Sequence, residues 1–414
     1  MRFGLLGEHL QHSYSPRIHR ELHGEEYRLY EAAPGQVEEF LKTTDLDGLN
    51  VTIPYKQTVL PYCTRISDAA RRIGCVNTLV RRPDGWHGYN TDYDGFRYLL
   101  AEGGIDPAGK KALILGNGGA SLTARTALAD LGASGIVILS RSVQAEHPVR
   151  IDTYDRIGLY AEAEIVVNTT PVGMYPGNGE KPVDLKLFPK CRGAADVIYY
   201  PARTAFLLQA EELGIPHRGG LGMLTAQARR SAELWLDTAI PDRKVKEVTA
   251  ALEKEMRNIA LVGMPGCGKT SIGRALKEKT GRIFFDTDEM VEQRTGRKIP
   301  DILAEDGEEA FRRLETAALE EAGRESGCII ATGGGCVTKE RNDPLLHQNS
   351  TVVWIRRDLR LLPADGRPLS ASCTAEALYE QRKDRYAEFA DLTVENNDTV
   401  EDAAERILEK LERS

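Results

Sequence analysis

The chain lacks the features that would place it in a membrane or hold it together by disulfide bonds. No apolar run in its 414 residues approaches the roughly 20 needed to span a bilayer. Its seven cysteines are scattered and none forms a C-x-x-C pair, which argues against a disulfide framework and a cysteine-held zinc site. The segment MRFGLLGEHL has neither a long apolar region nor a cleavage site, so we expect no signal peptide. A reducing cytoplasm is the expected location.

An excess of positive charge, internal repeats and low-complexity segments are also missing. The net charge of -8 disfavours nonspecific binding to nucleic acids or to anionic membranes, so we expect neither as a partner. The composition, 41% hydrophobic and 28% charged, is ordinary for a globular protein. A chain of this length should form two or three domains.

Metal-binding histidine motifs are absent as well. His19 and His23 lie four residues apart on a predicted helix, a spacing that could hold a metal ion. No HExxH glutamate accompanies them, so we expect surface or capping histidines.

Short apolar strands alternate with helical patterns along the chain, which predicts an α/β fold with mostly parallel sheets. A helix with Val245, Val248, Leu252 and Met256 on one face runs almost directly into the strand predicted to begin at Ile259, without a Gly/Ser linker. A join between two earlier blocks is expected at 103–107. The predicted strands are 3–6, 48–53, 111–115, 135–139, 163–167, 194–199 and 259–262.

The stretch GMPGCGKT, residues 263–270, has two glycines separated by four residues and followed by Lys and Thr, which fits the phosphate-binding loop pattern. It lies between a predicted strand and a predicted helix, 271–279, so backbone N–H groups and a helix N-terminus would point at a phosphate. Lys269 would reach the outer phosphates, and the Thr270 hydroxyl would ligate Mg²⁺. A mere tight turn is the alternative.

Further motifs follow this loop in order. Asp286 and Asp288 end a predicted strand, where residues two apart point the same way. One could help hold Mg²⁺ and the other a hydroxylated acceptor. Arg312 and Glu315 share a helix face, and the glycines 333–335 permit close approach of a ligand. Each motif alone also suits a cap, a solvated face or a turn, and their joint order is what indicates phosphoryl transfer.

Residues 258–414, with the motifs GMPGCGKT, DTD, FRRLE, TGGG and GRPLS, resemble shikimate kinase. The resemblance implies catalytic roles for Lys269, Asp288 and the lid residue Arg367, and Mg²⁺ ligation by Thr270 and Asp286. It implies ATP binding by Gly263, Met264, Gly266, Cys267, Gly268, Lys269, Thr270, Ser271 and Arg367. It implies shikimate binding by Asp288, Arg312, Gly333, Gly334, Gly335 and Arg382.

The chain departs from this family at two places. The stretch between Val353 and Arg367 is shorter than in many members, which leaves the adenine contact near Arg357 or Arg360 open. The usual proline before Leu-Tyr is missing, so Arg385 is a rival of Arg382. Two cysteines, Cys267 in the loop and Cys336 after the glycines, could make the kinase sensitive to oxidation or could be inert small residues.

The motif LGNGGAS, residues 115–121, lies between a predicted strand and a helix and is a variant of the dinucleotide-binding fingerprint. The next predicted strand ends in Ser140-Arg141, where an NAD-type fingerprint would place an acidic residue. An arginine suits the 2′-phosphate of NADP. We therefore expect NADP rather than NAD.

The first hundred residues carry short polar side chains in SYSP, NVTIPYK, GCVNT and YNTDYDGF. This mixture suits a polyhydroxylated carboxylic acid, although caps and turns also use these residue types. With LGNGGAS, VNTTPVGM and GGLGMLTAQA, these motifs make residues 1–255 similar to shikimate dehydrogenase.

This resemblance implies a catalytic pair, Lys56 and Asp92. A lysine, with an ordinary pKa of about 10.4, is protonated at neutral pH and can stabilise the charge that develops on a carbonyl oxygen. It implies that the acid is bound by Ser13, Ser15, Asn50, Thr52, Lys56, Asn77, Asp92 and Gln227. It implies that NADP contacts Gly116, Asn117, Gly118, Gly119, Ala120, Ser140, Arg141, Asn168, Thr169, Thr170, Met174, Tyr199, Gly220 and Met223.

Together the two resemblances imply a bifunctional enzyme that reduces 3-dehydroshikimate to shikimate with NADPH and phosphorylates shikimate with ATP and Mg²⁺. The expected architecture is an α/β substrate-binding domain over 1–102, completed by helices within 221–256, a Rossmann domain over 103–220 and a P-loop α/β kinase domain over 258–414. Quinate oxidation with NAD and a non-catalytic role for one half are the rivals. The sequence leaves a monomer and a homodimer open.

Overall fold

The computed structural model describes residues 1–10, 13–142, 150–362 and 374–413. The chain divides into two compact units. The first comprises Met1–Met174, Glu180–Tyr199 and Thr204–Leu252, and the second comprises Tyr175–Gly179, Tyr200–Arg203 and the chain from Glu253 onward.

The N-terminal part of the first unit is a mixed sheet. Its strands are β1 (Arg2–Gly7), β2 (Glu26–Glu31), β3 (Gly48–Val51), β4 (Cys63–Ile66), β5 (Thr78–Arg82) and β6 (Gly85–Tyr89), and its helices are α1 (Ser15–His23), α2 (Val37–Thr43) and α3 (Asp68–Ile73). The order is β2-β1-β3-β5-β6-β4, with β5 antiparallel to both of its neighbours. Leu6, Leu49, Val51 and Leu79 are buried in its core.

The described residues from 92 to 218 add a second sheet, in which all strand pairs are parallel. Its elements are α4 (Asp92–Glu102), β7 (Lys111–Leu115), α5 (Gly119–Asp130), β8 (Gly135–Ser140), β9 (Ile151–Thr153), β10 (Ile165–Asn168), β11 (Gly193–Asp196), α6 (Ala205–Glu212) and β12 (His217–Arg218). The order is β12-β11-β10-β7-β8-β9. The carboxyl ends of β7, β8, β10 and β11 therefore meet at one edge.

Two long helices follow, α7 (Leu221–Leu236) and α8 (Asp242–Met256). The indole of Trp235, near the end of α7, stacks on Phe3 at 4.6 Å and donates a hydrogen bond to the Leu79 carbonyl. This contact packs α7 against the first sheet. The helix predicted from Val245, Val248, Leu252 and Met256 is confirmed, and all four side chains are buried.

The described residues from 258 to 413 form a third sheet, which is parallel throughout. Its elements are β13 (Asn258–Val262), α9 (Lys269–Thr280), β14 (Phe284–Asp286), α10 (Thr287–Thr295), α11 (Ile299–Glu305), α12 (Glu308–Gly323), β15 (Ile329–Ala331), α13 (Asn342–His347), β16 (Ser350–Arg356), α14 (Ala375–Phe389), β17 (Leu392–Glu395) and α15 (Val400–Arg413). The order is β14-β15-β13-β16-β17.

The α/β class with mostly parallel sheets is confirmed, and two predicted strands are shorter than expected. The strand predicted over 48–53 ends at Val51, and Ile53 is 78% exposed. The strand predicted over 194–199 ends at Asp196, so Tyr199 lies in a loop beyond the sheet. In both cases the apolar run continues past the last ladder hydrogen bond. Among the described residues, none of the helices combines the length and the apolarity needed to cross a bilayer.

Candidate active sites

The first unit contains a polar cavity of about 590 Å³. Its walls come from the end of β3 and the loop after it, from the start of α4 and from α7. Every residue predicted to bind the acid lies in its lining, although their positions in the chain run from 13 to 227. These residues are Ser13, Ser15, Asn50, Thr52, Lys56, Asn77, Asp92 and Gln227.

Lys56 and Asp92 form an ion pair in this cavity. Lys56 Nζ donates a hydrogen bond of 2.6 Å to Asp92 Oδ2, and the two side chains are 27% and 19% exposed. Burial alone would lower the pKa of Lys56, but the charge and hydrogen bond of Asp92 outweigh it and raise the pKa above its ordinary value. Lys56 is therefore an ammonium at neutral pH, fixed in direction by Asp92.

A buried hydrogen-bond network supports the floor of the cavity. The Asn50 amide donates to Thr78 at 3.0 Å and to Ser231 at 2.9 Å, and its oxygen accepts from Tyr27 at 2.9 Å. Asn50 is only 5% exposed, so most of its hydrogen-bonding capacity is used inside the protein. Sequence reasoning missed Thr78, Ser231 and Tyr27, because these contacts join residues far apart in the chain.

The prediction that His19 is a surface or capping histidine is wrong. Its ring is fully buried, lies 4.1 Å from the Tyr27 ring and contacts Asn50 Oδ1 through Nε2 at 3.2 Å. Nδ1 contacts His23 Nε2 at 3.1 Å. Burial first, and then the charge of His23, hold the pKa of His19 well below its ordinary value, so the ring is neutral. The described residues hold no group of three or more His, Cys, Asp or Glu side chains arranged to bind a metal.

The glycine-rich turn follows β7 at the carboxyl edge of the second sheet. Gly116 has φ 97°, a conformation that favours glycine, and a Cβ there would lie 2.7 Å from Thr170 Cγ2. Gly118 is the N-cap of α5, and Gly119 and Ala120 are its first residues. The turn therefore presents the N-terminus of α5 at the edge where β8 ends in Ser140. Asn117 lies within the turn, and the exposed Arg141 comes directly after Ser140.

The residues predicted for the nicotinamide side lie on two loops and on the start of α7. Asn168 ends β10 and is followed by Thr169, whose hydroxyl donates to the Leu115 carbonyl at 2.7 Å. Tyr199 lines the polar cavity, which brings the second loop to the predicted acid site. A Cβ on Gly220, the N-cap of α7, would collide with the Val197 carbonyl. Thr170 lies on the first of these loops, Met174 is 48% exposed farther along it, and Met223 lies in the first turn of α7.

The second unit contains a cavity of about 750 Å³ around the predicted phosphate loop. Gly263, Gly266 and Gly268 all have positive φ, and α9 begins at Lys269. In this arrangement Lys269 Nζ donates to the carbonyls of Gly263, at 2.8 Å, and Met264, at 3.0 Å. The lysine is thus held over the loop by neutral acceptors that a phosphate oxygen can replace. Ser271, next along α9, also lines the cavity.

Thr270 and Asp286 form the predicted magnesium side. The Thr270 hydroxyl donates to Asp286 Oδ2 at 2.7 Å, while Asp286 Oδ1 accepts the amide of Asp288 at 3.0 Å. Asp286 is the N-cap of α10, and Asp288 lies in the first turn of that helix. The prediction that both carboxylates project from one strand is therefore wrong. Both still line the cavity, because the strand ends at its rim.

Asp288, Arg312 and Glu315 form a buried charged cluster. Arg312 Nη1 donates to Glu315 Oε2 at 2.8 Å, and the two side chains are only 3% and 1% exposed, which confirms that they share a helix face and excludes a solvated one. Asp288 Oδ1 and Glu315 Oε1 are buried and have no hydrogen-bond partner among the described residues. Burial, followed by the charges of Glu315 and Asp286, raises the pKa of Asp288 to about 7.

The three glycines lie against this cluster. A Cβ on Gly333 would collide with Glu315, and one on Gly335 would collide with the Arg312 guanidinium, so neither position has room for a side chain. Gly334 lies against the phosphate loop, and its carbonyl accepts from Arg382 Nη1 at 3.1 Å.

Arg382 rather than Arg385 is in the cavity. Arg382 is 7% exposed and lines the cavity, and its buried Nε has no hydrogen-bond partner within the described part of the chain. Arg385 instead forms ion pairs with Glu388 at 2.8 Å and Glu340 at 3.6 Å. The geometry therefore favours Arg382 for an anionic ligand. Arg357 also lines the cavity, whereas Arg360 pairs with Asp358.

Three further points concern the second unit: the predicted lid arginine, the two cysteines and the cavity residues that were not predicted. Arg367 lies outside the described residues, so its predicted lid role stays a prediction. Cys267 and Cys336 are 0% and 1% exposed, and burial raises the pKa of Cys336 to about 12. Cys336 is therefore protonated at neutral pH, and this favours an inert small residue over a thiol sensitive to oxidation. Sequence reasoning missed Glu292, Lys298 and Phe311, which also line the cavity.

Two family models match the chain. The model of the shikimate dehydrogenase substrate binding domain matches residues 5–79, and the shikimate kinase model matches residues 265–412. The NADP(+)-dependent shikimate dehydrogenase of Clostridium beijerinckii is 36% identical over 268 residues, which cover 62% of this chain and 99% of that protein.

Solved structures agree with this match. Shikimate 5-dehydrogenase of Thermus thermophilus, in complex with NADP(H) and shikimate, has a TM-score of 0.55 and 30% identity, and the match covers 61% of this chain and 99% of that one. Quinate dehydrogenase of Corynebacterium glutamicum, in complex with NAD, has a TM-score of 0.55 and 26% identity over the same shares.

Proposed function

The chain belongs to the shikimate dehydrogenase family and also carries a shikimate kinase domain, and from this premise we propose that it catalyses two consecutive reactions. The first is the reduction of 3-dehydroshikimate to shikimate with NADPH. The second is the phosphorylation of shikimate to shikimate 3-phosphate with ATP. The observation that carries the proposal is that each unit assembles its own reactive groups, Lys56 with Asp92 in one cavity and Lys269 with Asp288 in the other.

In the first cavity, Lys56 is the proton donor. Hydride addition to a carbonyl carbon leaves negative charge on the oxygen, and an ammonium within reach stabilises that charge and then donates its proton. Asp92 raises the pKa of Lys56 and fixes the direction of its ammonium group through a hydrogen bond. The proton donor is therefore charged and oriented before the substrate binds. Hydroxyls and amides around the pair, from Ser13, Ser15 and Gln227, provide hydrogen bonds for a polyhydroxylated acid.

The residues of the second sheet fit NADP, which supplies the hydride when bound. The Gly116 turn and the N-terminus of α5 offer backbone amides to a pyrophosphate. Arg141 follows the end of β8, where an acidic residue would select NAD. An exposed arginine directly after β8 therefore supports the proposal of NADP, whose 2′-phosphate a guanidinium can bind.

The residues of the second cavity fit ATP with Mg²⁺. A hydroxyl and a carboxylate 2.7 Å apart, from Thr270 and Asp286, are the oxygen ligands that Mg²⁺ takes alongside nucleotide phosphates and water. Lys269 and the loop amides neutralise phosphate charge, which is the main requirement of phosphoryl transfer. Mg²⁺ held by Thr270 and Asp286 would help to neutralise the phosphate charge.

Asp288 is the group placed to orient the attacking hydroxyl of shikimate and to accept its proton. The raised pKa of Asp288 makes its carboxylate a stronger base. Its Oδ1 has no hydrogen-bond partner among the described residues and can accept a hydrogen bond from a substrate hydroxyl. Arg312 and Arg382 approach the same cavity and provide guanidinium groups for the substrate carboxylate. Arg367 would act as the lid arginine.

We extend the proposal to organisation and location. Residues 1–102 with helices from 221–256 form the acid-binding domain, 103–220 the NADP-binding domain and 258–414 the kinase domain. The reducing cytoplasm suits the cysteines, since each of the six in the described residues is a free thiol. The ligands are small molecules.

A coupled assay on the purified chain tests the two activities together. It supplies 3-dehydroshikimate, NADPH, ATP and Mg²⁺ and follows NADPH loss and ADP formation separately, with NADH and with quinate plus NAD⁺ as controls. NADPH loss followed by ADP formation that depends on the shikimate made supports both reactions. If NADPH is oxidised but no ADP forms, the kinase domain is a binding module and not a catalyst. If added shikimate gives ADP but NADPH is not oxidised, the first unit is better explained by the quinate alternative.

A further inference from the structure

Asp196, at the carboxyl end of β11, is a fully buried carboxylate that the proposed chemistry does not use. Among the described residues it has no cationic partner, and the groups that face it are uncharged. They are the Asn168 amide, the Ile198 backbone amide and the Thr204 hydroxyl. A buried carboxylate without a cation is costly, so its retention calls for a structural or functional reason.

The three donors come from two different loops. Asn168 Nδ2 donates to Asp196 Oδ1 at 3.1 Å, and the Ile198 amide donates to the same oxygen at 3.0 Å. The Thr204 hydroxyl donates to Oδ2 at 2.7 Å. An ionised carboxylate accepts hydrogen bonds at both oxygens and has no donor group. It therefore matches a site in which the three neighbouring groups are all hydrogen-bond donors.

The first loop begins at Asn168 and is organised by it. Asn168 Oδ1 accepts from the amide of Thr170 at 3.0 Å and from its hydroxyl at 2.7 Å, and Nδ2 also donates to the Val172 carbonyl at 3.2 Å. Thr170 in turn lies against Gly116 of the glycine-rich turn. Fixing the Asn168 amide therefore fixes the conformation of residues 168–172 against the dinucleotide turn.

The second loop begins at Asp196 itself. The Ile198 amide is held by the carboxylate, and the Ile198 carbonyl accepts the Gly220 amide at 2.9 Å. The next residue, Tyr199, lines the polar cavity. Thr204, whose hydroxyl donates to the other carboxylate oxygen, is also the N-cap of α6, where its hydroxyl accepts the Leu207 amide.

We propose that Asp196 is a positioning residue for hydride transfer: its carboxylate joins the 168–172 loop to residues 196–199, and so fixes the two segments that flank the nicotinamide ring of NADPH. This inference rests on the proposed dehydrogenase function. Asp196 does not touch the substrate, and it acts through Asn168, Thr170 and Tyr199. Burial raises its pKa to about 6, with the three hydrogen bonds opposing that rise, so the carboxylate is ionised at neutral pH and loses acceptor capacity below about pH 6.

The test compares Asp196→Ala and Asp196→Asn with the wild-type chain. Asparagine has the shape of the carboxylate but offers one acceptor in place of two. Four quantities are measured: kcat, KM for 3-dehydroshikimate, the deuterium isotope effect with NADPH labelled at the transferred position, and the dissociation constants of NADP⁺ and 2′,5′-ADP. The last ligand carries the adenosine half without the nicotinamide.

For Asp196→Ala we expect kcat to fall tenfold or more, the isotope effect to rise and NADP⁺ binding to weaken. KM for 3-dehydroshikimate and the dissociation constant of 2′,5′-ADP should stay within twofold, because their sites are held by other residues. Asp196→Asn should give a smaller loss of kcat. We expect the kcat of the wild-type chain to decline as the pH falls through about 6, and Asp196→Asn should abolish that decline.

A matched control is Ser67→Ala, which removes the N-cap hydrogen bond of α3 in the same unit, away from both loops. It controls for a general loss of stability. Kinase activity of each variant reports that the second unit is intact. If Asp196→Ala does not fold, the same measurements on Asp196→Asn test the positioning role.

Two results would overturn the proposal. One is a change in thermal stability alone, with kcat, the isotope effect and both dissociation constants as in the wild type. The other is equal weakening of 2′,5′-ADP and NADP⁺, which would mean that Asp196 supports the whole dinucleotide site. If the wild-type chain binds NADP⁺ but does not oxidise NADPH, the proposed function fails, and the comparison of the two ligands still decides the role of Asp196.

Discussion

Lys56 Nζ lies 2.6 Å from Asp92 Oδ2 and joins the loop after β3 to the first turn of α4. Burial and pairing act in opposite directions on Lys56, and pairing prevails, so its pKa is raised. The ammonium is thus kept charged by a partner that also restricts its orientation. This arrangement serves a proton donor that acts next to developing negative charge.

Lys56→Ala should lower kcat for the reduction of 3-dehydroshikimate by about 10²- to 10⁴-fold, because it removes both charge stabilisation and the proton. Kinase activity should not change, since Lys56 belongs to the first unit. Separate NADPH-oxidation and ADP-release assays measure the two effects. Lys42→Ala, at an exposed lysine of the same unit, is the control. Loss of both activities in a folded variant would contradict the two-site model.

Asp92→Asn should shift the alkaline limit of the reductase. A lysine whose pKa is raised by a carboxylate stays protonated to higher pH, and without that carboxylate burial lowers the pKa. The variant should therefore lose activity at a lower pH than the wild type. The pH profile of kcat for NADPH oxidation gives the measurement, and identical alkaline limits in the two proteins would count against the pairing role.

Arg141→Ala should raise KM for NADPH by about 10- to 100-fold and leave KM for NADH within about twofold, because a guanidinium recognises the 2′-phosphate that NADH lacks. Arg156→Ala, at an exposed arginine in the 3-10 helix after β9, is the control. Equal losses with the two cofactors would show that Arg141 supports the fold and does not select the cofactor.

Periodicity and glycine chemistry were enough to predict the parallel α/β class and both nucleotide-binding turns. The Gly116 turn and the 263–270 loop each lie between a strand and a helix, a local arrangement that a short window of sequence contains. The gathering of Ser13 and Gln227 in one cavity is not local. The resemblance predicted it, because no spacing in the chain relates a residue that precedes α1 to a residue of α7.

The predictions for the Asp286–Asp288 pair and for His19 were wrong for physical reasons. Asp286 and Asp288 look alike on an extended strand, but the Asp286 side chain accepts the amide of Asp288 and starts α10. A sequence cannot distinguish a strand end from an N-cap that follows it directly. His19 was expected at the surface or in a cap because no HExxH glutamate accompanies it, and its actual partner Asn50 lies 31 residues away, beyond the reach of a local motif. The pairing of Asn50 with Ser231, 181 residues apart, is equally outside the reach of pattern analysis.

Lys269→Ala should abolish ADP formation with shikimate and leave NADPH oxidation unchanged. Its ammonium is held at the phosphate loop by the carbonyls of Gly263 and Met264, so the variant loses a charge at the phosphates without losing a buried ion pair. Lys277→Ala, on the exposed face of the same helix, is the control. Retained ADP formation in Lys269→Ala would place the phosphate site elsewhere.

Asp288 should set the acidic limit of the kinase. Its pKa is about 7 because burial and the charges of Glu315 and Asp286 disfavour its ionised form. A base must be ionised, so kcat/KM for shikimate should rise with pH, change slope near 7 and then level off. A profile that is flat from about pH 6 to 9 would exclude a group with this pKa as the base.

The same shift predicts an opposition between activity and stability. A carboxyl whose folded-state pKa exceeds its unfolded value of about 3.9 binds more protons in the folded state, so stability falls as the pH rises from about 4 to 7. Asp288→Asn removes that ionisation. The variant should unfold at a higher temperature than the wild type above about pH 7 and by a smaller margin near pH 5, while kinase activity falls by about 10²-fold or more. Thermal unfolding of the two proteins at both pH values measures this difference in unfolding temperature. If the variant is less stable than the wild type at high pH, the contacts of the Asp288 carboxylate stabilise the fold by more than its burial costs.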